Sequence, residues 1–188
     1  MSGWLWGLCD KKLGHQVKKR KKYESDAQKF FKEERNVCRS VPLCDNILIM
    51  SDIIDKESVD DLILSAREAA ESAYCPYSKY PVGAAFLGVD GEIYTGCNVE
   101  NAAYGLSICA ERTAIFNAVG CGCRQFVAMA MAGGQKQAAT PCGACRQVLV
   151  EFCLPAMPVY FANLTDGEVT ETTVGTLLPL AFGKQYLK

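Results

Sequence analysis

The stretch Val82-Gly83-Ala84-Ala85-Phe86-Leu87-Gly88-Val89-Asp90-Gly91-Glu92-Ile93-Tyr94-Thr95-Gly96-Cys97 decides the fold class. Residues 82–89 and 92–97 read as strands on either side of Asp90-Gly91, a dipeptide that supplies the positive φ a tight hairpin turn needs. Pro76 and Pro81 break the preceding pattern, which leaves Tyr74-Cys75-Pro76-Tyr77-Ser78-Lys79-Tyr80 as a loop. Before that loop, Val59, Leu62, Ile63, Ala66, Ala70 and Ala73 recur at helical spacing. Ser58 with Asp61 three residues later resembles a capping box, so an amphipathic helix is expected from about Lys56. Beyond the hairpin, the pattern predicts helices over 109–119 and 142–152 and strands over 126–131 and 159–162. Asp166-Gly167 turns the chain into a strand over 168–174, and a short terminal helix ends before Pro179. Strands interleaved with helices predict a layered α/β sandwich with a mixed sheet, a hairpin first and parallel strands linked by crossover helices after it.

Composition narrows the function. A chain of 188 residues, 49% hydrophobic, can bury one substantial core, and a formal net charge of -1 gives no global drive toward nucleic acid. No apolar stretch approaches the length that spans a bilayer. The cysteine count of 11 is odd, and the start lacks a basic flank before its short apolar run, so the thiols are expected to be reduced and the compartment cytoplasmic. Residues 1–55 stand apart. The basic run Lys11-Lys12-Leu13-Gly14-His15-Gln16-Val17-Lys18-Lys19-Arg20-Lys21-Lys22 and the mixed charges after it read as a flexible extension, either a solvated tail or a nuclear-import or anionic-surface signal. Residues 56–188 form the catalytic unit on this reading.

The single histidine, His15, lies in that basic run, so a histidine-activated nucleophile or a multi-histidine zinc site is excluded. Chemistry must draw on cysteine, carboxylate and metal. Cys142 and Cys145 follow Pro141 where a helix starts; alone, such a pair reads equally as metal ligands, a redox dithiol or core cysteines. Cys109, also at a predicted helix start, adds a third thiol and brings Glu111 with it. Three thiolates leave the fourth position on zinc open to water, the mark of a catalytic site, whereas Cys97, Cys121 or Cys123 as a fourth ligand would close it. Zinc with three thiolates is net negative, which works against acidifying a water, so compensation is needed from the helix N-termini and from Arg112, whose other reading is a surface arginine. Glu111 is placed to move protons between water and a substrate nitrogen, or else is simply a favourable first-turn acid.

Cys109-Ala110-Glu111 with Pro141-Cys142-Gly143-Ala144-Cys145 resembles the zinc signature of the cytidine deaminases, and cysteine rather than histidine before Ala-Glu resembles their small three-cysteine class. The resemblance runs from about Lys56 to the C-terminus and includes Gly96-Cys97-Asn98-Val99-Glu100-Asn101-Ala102. It implies a three-layer α/β/α sandwich with a mixed sheet of about five strands, one zinc per subunit held by Cys109, Cys142 and Cys145, and hydrolysis of cytidine or 2′-deoxycytidine to the uridine with release of ammonia. Water adds at C4, and Glu111 carries protons to N3 and to the amino group. The resemblance further implies that Asn98 and Glu100 hold the ribose hydroxyl and that the Ala110 amide and Glu111 contact the pyrimidine edge. Tyr80 and Phe182 would flank the base, and Tyr104 and Phe182 would reach a neighbouring subunit's pocket in a homotetramer. Tyr80 departs from the family's usual phenylalanine and adds a hydroxyl that needs water or a polar partner. Three rivals stand beside this reading: deamination of a cytosine nucleoside antibiotic, a non-catalytic zinc-stabilised interaction module, and a nucleic-acid binder acting through the basic extension.

Overall fold

The computed structural model describes residues 54–165 and 167–187. The basic run and most of the expected extension lie outside the described residues. Helix α1 (Lys56–Glu71) is followed by strands β1 (Val82–Gly88) and β2 (Ile93–Cys97), helix α2 (Ala110–Gly120), and strand β3 (Phe126–Gly133). Helix α3 (Gly143–Phe152), strands β4 (Pro158–Ala162) and β5 (Thr170–Thr173), and a single turn, α4 (Val174–Leu177), complete the order.

The start of α1 differs from the expected Ser58–Asp61 box. Asp55 is the N-cap: its carboxylate accepts from the Ser58 amide at 2.9 Å and the Ser58 hydroxyl at 2.6 Å. The cap belongs one residue ahead of the helix, and Ser58, three residues on, gives the Asp55 carboxylate both its amide and its hydroxyl. Ile54 and Val59 flank this cap in one apolar cluster, at the positions of a hydrophobic staple. Folded structure therefore begins at least two residues before Lys56.

The sheet has the order β2-β1-β3-β4-β5. The hairpin is antiparallel, with Ala85 opposite Thr95, and β1 also runs antiparallel to β3. Only β3 and β4, joined through α3, form a parallel pair; β5 returns antiparallel to β4. Strands β2, β3 and β4 therefore run in one direction and are linked by the helices α2 and α3, as the sequence pattern predicts, and β5 departs from them. The last connection is too short for the dozen or more residues of a crossover, so β5 must double back. The terminal strand is also shorter than the expected 168–174 and gives way to α4 at Val174.

Two glycines establish the layers. A Cβ at Gly83 would overlap the backbone of α1 at Ala66 and Ala70, and one at Gly96 would overlap the backbone of α2 at Ala114. Gly83 and Ala84 are adjacent on β1, so they face opposite sides, and Ala84 is paired with Gly96. Helices α1 and α2 therefore cover opposite faces of the same strands, which gives three layers. The α1 side of β1 and β3 is lined by Gly83, Ala85, Ala128, Ala130 and Ala132, small residues that let Leu62 and Ala66 of α1 approach closely. The α2 side carries Phe86, Met129 and Met131. Strand β1 is buried along its whole length because it has a helix on each face and a strand on each edge. Among the described residues no helix is long and apolar enough to cross a membrane.

Candidate metal centre and active site

Cys109 and Cys142 are the N-caps of α2 and α3, and neither cap makes a side-chain hydrogen bond to its helix. Both sulfurs turn instead toward Cys145, in the first turn of α3. Cys109 and Cys142 sulfurs lie 3.9 Å apart, Cys142 and Cys145 sulfurs 3.5 Å apart, and all three within 4.8 Å of one another. A tetrahedral ion with Zn–S bonds of about 2.3 Å separates its sulfurs by about 3.8 Å, so the cluster has the size of a zinc site. Among the described residues no fourth cysteine, aspartate or glutamate joins this group. Cys97 donates to the Ser72 carbonyl, Cys121 to the Asn117 side-chain oxygen and Cys123 to the Gln125 carbonyl, and none of the three joins the cluster, which leaves the closed structural site without a fourth cysteine.

The electrostatics also favour a bound cation. Hydrogen bonds from Cys145, then from Arg112 and Cys142, hold the Cys109 thiol down at about 5. Cys145 is pushed up in turn, by its bond to Cys109 and by burial. Arg112 is the nearby compensating charge: its Nη2 lies 3.6 Å from the Cys109 sulfur and 3.4 Å from the Ser107 carbonyl. Its Nε is buried without a hydrogen-bond partner, and the Nη2 contact makes Arg112 a half-buried residue facing the thiols. Glu111 is 3% exposed, and burial raises its carboxyl above the ordinary range. The first intrahelical bond of α2 runs from the Thr113 amide to the Cys109 carbonyl. The amides of Ala110, Glu111 and Arg112 therefore have no acceptor within the helix and give this end its positive character.

A cleft of about 270 Å³ opens onto this end, lined among others by Tyr80, Asn98, Glu100, Ala110, Glu111 and Cys142. Asn98 and Glu100 sit on an irregular extension of β2, where Val99 bridges to Tyr74 on one side and Ile108 on the other. This pairing carries the chain from the hairpin to Cys109. Asn98 clasps the loop before β1: its Oδ1 accepts from the Val82 amide at 2.9 Å and its Nδ2 donates to the Tyr80 carbonyl at 3.0 Å. Glu100 Oε2 accepts from the Tyr77 and Ser78 amides. The Ser78 hydroxyl and these amides hold its carboxyl below the usual range. An amide oxygen has two lone pairs and an amide nitrogen two hydrogens, so Asn98 keeps one acceptor and one donor to spare, and Glu100 keeps Oε1.

Tyr80 extends toward the left-handed Gly134, where a Cβ would stand 2.8 Å from the Tyr80 hydroxyl and overlap the Gln137 carbonyl. The extra hydroxyl thus lies against Gly134, in space that a side chain there would fill. Tyr104 and Phe182 do not line the cleft. They are 75% and 58% exposed; Tyr104 meets Tyr77 edge-on, and Phe182 stacks on Tyr186. Ser107, Met131, Ala139 and Thr140 also line the cleft but were not singled out in the sequence. Proximity to Cys109 and Cys142 was the available signal for Ser107 and Thr140; nothing local marked the other two.

Residues 56–161 match the family model for the cytidine and deoxycytidylate deaminase zinc-binding region. The chain belongs to this family. A cytidine deaminase of Sporosarcina psychrophila is 55% identical over 129 residues, 69% of this chain and 94% of the relative. The crystal structure of cytidine deaminase from Burkholderia pseudomallei is 49% identical with a TM-score of 0.63, covering 65% of this chain and 98% of that one. The corresponding structure from Mycobacterium tuberculosis is 41% identical with a TM-score of 0.59, covering 66% and 97%. Zinc is accordingly the metal that this deaminase-family donor set fits.

Proposed function

We propose that the chain hydrolyses cytidine and 2′-deoxycytidine to uridine and 2′-deoxyuridine, releasing ammonia. The single observation that carries this reading is a buried carboxylate, Glu111, held beside a three-thiol cluster at the end of a nucleoside-sized cleft. Zinc, which Cys109, Cys142 and Cys145 would hold, would supply acidification of a water. Glu111 takes a proton from water as its oxygen adds to C4 and delivers it to N3 of the pyrimidine, then carries the proton of the new C4 hydroxyl to the amino group, which leaves as ammonia. Its burial supports this role, because a carboxyl raised from its ordinary range exchanges protons more evenly near neutral pH. The unpaired Ala110 amide offers a donor to the pyrimidine edge, and Tyr80 a flanking ring. Arg112 offsets the charge of the thiolates.

Asn98 and Glu100 take the ribose hydroxyl with the valences that their backbone bonds leave free. Tyr104 and Phe182 serve the cleft of another copy, which makes the assembly a homotetramer with shared sites; their exposure and absence from this chain's own cleft support that arrangement. Residues 56–188 are the catalytic unit, with Ile54 and Asp55 supplying the apolar flank and the cap of its first helix. Its compartment is the cytoplasm, where a site of three reduced thiols persists.

Ultraviolet monitoring of cytidine with purified zinc-loaded protein tests the reaction, with the Glu111→Ala variant alongside. Conversion by the wild type and loss in the variant is the expected result. An unchanged cytidine spectrum, or turnover only of a cytosine nucleoside with a modified sugar, overturns the proposed substrate.

A further inference from the structure

Helix α3 begins without a side-chain cap because the Cys142 sulfur faces the other cysteines. Its first turn is held from one turn further along. Arg146 Nε donates to the carbonyl of Pro141, the residue before Cys142, at 2.9 Å. The same guanidinium reaches in a second direction, where Nη1 donates to the Leu177 carbonyl at 2.9 Å. Leu177 is the last residue of α4, so its carbonyl has no intrahelical donor. A guanidinium is planar and rigid, so these two bonds fix the Pro141 and Leu177 carbonyls relative to each other. Farther along α3, Gln147 Nε2 donates to the Phe182 carbonyl at 2.8 Å, and Glu151 pairs with Lys184 at 3.2 Å. The helix that carries Cys145 is therefore also the support for the C-terminal segment.

We propose that Arg146 is a positioning residue that joins the metal loop at Pro141-Cys142 to the C-terminal segment bearing Phe182, so that losing its two bonds weakens both metal retention and order in that segment. The proposal rests on Cys109, Cys142 and Cys145 being the zinc ligands. Lysine cannot replace Arg146 fully, because an ammonium is a point donor without the two fixed directions of the guanidinium.

Zinc release from the loaded full-length protein to a chromogenic chelator, paired with hydrogen exchange over residues 178–187, tests the coupling. Arg146→Ala is expected to release zinc about tenfold faster or more, the scale typical for loss of a group that orients metal ligands, and to raise exchange in the C-terminal segment. Arg146→Lys should fall between it and the wild type in both measurements, and it carries the test if the alanine variant does not fold. Gln147→Ala should raise exchange near Phe182 while zinc release stays at the wild-type rate. Wild-type zinc release in Arg146→Ala, faster release with unchanged exchange, or equally fast release from Gln147→Ala would each overturn the assignment. Zinc content of the wild type, measured first, separates failure of the metal reading from failure of the coupling.

Discussion

Glu111 is a buried acid beside a cluster in which one thiol, Cys109, ionises more readily than usual, and its surroundings act on it in opposite ways. Burial and the Cys109 charge favour its protonated form, while its own backbone amide and Arg112 favour the ionised one. A residue balanced in this way is suited to pass protons and poorly suited to hold an ion pair. Removing it should therefore leave the metal in place: Glu111→Ala is expected to retain about one zinc per chain by metal analysis while kcat falls by about 10² to 10⁴-fold. Cys145→Ala should separate from it by losing the metal itself. Tyr80 makes a subtler case. Its hydroxyl lies against Gly134, so Tyr80→Phe should change KM for cytidine by less than about threefold. Gly134→Ala should raise KM more, because the new Cβ meets both the Gln137 carbonyl and the tyrosine; a smaller effect from the glycine variant counts against this packing.

At the level of elements, the closeness of the three layers depends on two glycines. Gly83→Ala and Gly96→Ala each push a methyl into helix backbone and should destabilise the fold by about 3 kcal/mol, read as a lower denaturation midpoint. Gly120, at the end of α2, has nothing within 4 Å of its would-be Cβ, and Gly120→Ala should instead stabilise by about 0.5–1 kcal/mol. The hairpin was legible because Asp90-Gly91 separates two uniform runs, and its register follows from that turn. The ends of α2 and α3 were legible for a different reason: Cys109 and Cys142 fall at breaks in periodicity, and both prove to be N-caps. The Asp55 cap was less visible because Ser58 and Asp61 offer the same residue types one turn later, and only the position of Ile54 in the core decides between them. The direction of β5 was not legible, since a four-residue polar strand has no pattern to fix which neighbour it joins. The roles of Asn98 and Glu100 as clasps on the Tyr80 loop were hidden too: they rest on backbone partners about twenty residues away.

At the scale of the whole molecule, the cleft is small, and Tyr104 and Phe182 lie exposed outside it. If Tyr104 and Phe182 complete another copy's cleft, light scattering should report about four times 20.5 kDa. Mixed assemblies of Glu111→Ala with Phe182→Ala should also recover activity that neither variant has alone, because some clefts regain both wild-type residues. A mixture no more active than its parts sinks the shared-site arrangement. The uncapped starts of α2 and α3 reach further still. Ordinary helices are capped by their own side chains, but here Cys109 and Cys142 give up that duty to face the metal, and an imported solute closes two helices at once. Chelated protein should therefore melt at a lower temperature than loaded protein, and adding zinc back should restore it. The pool of folded enzyme in a cell then follows the cell's supply of zinc, so a nutrient shortage would be felt as protein turnover as well as lost catalysis.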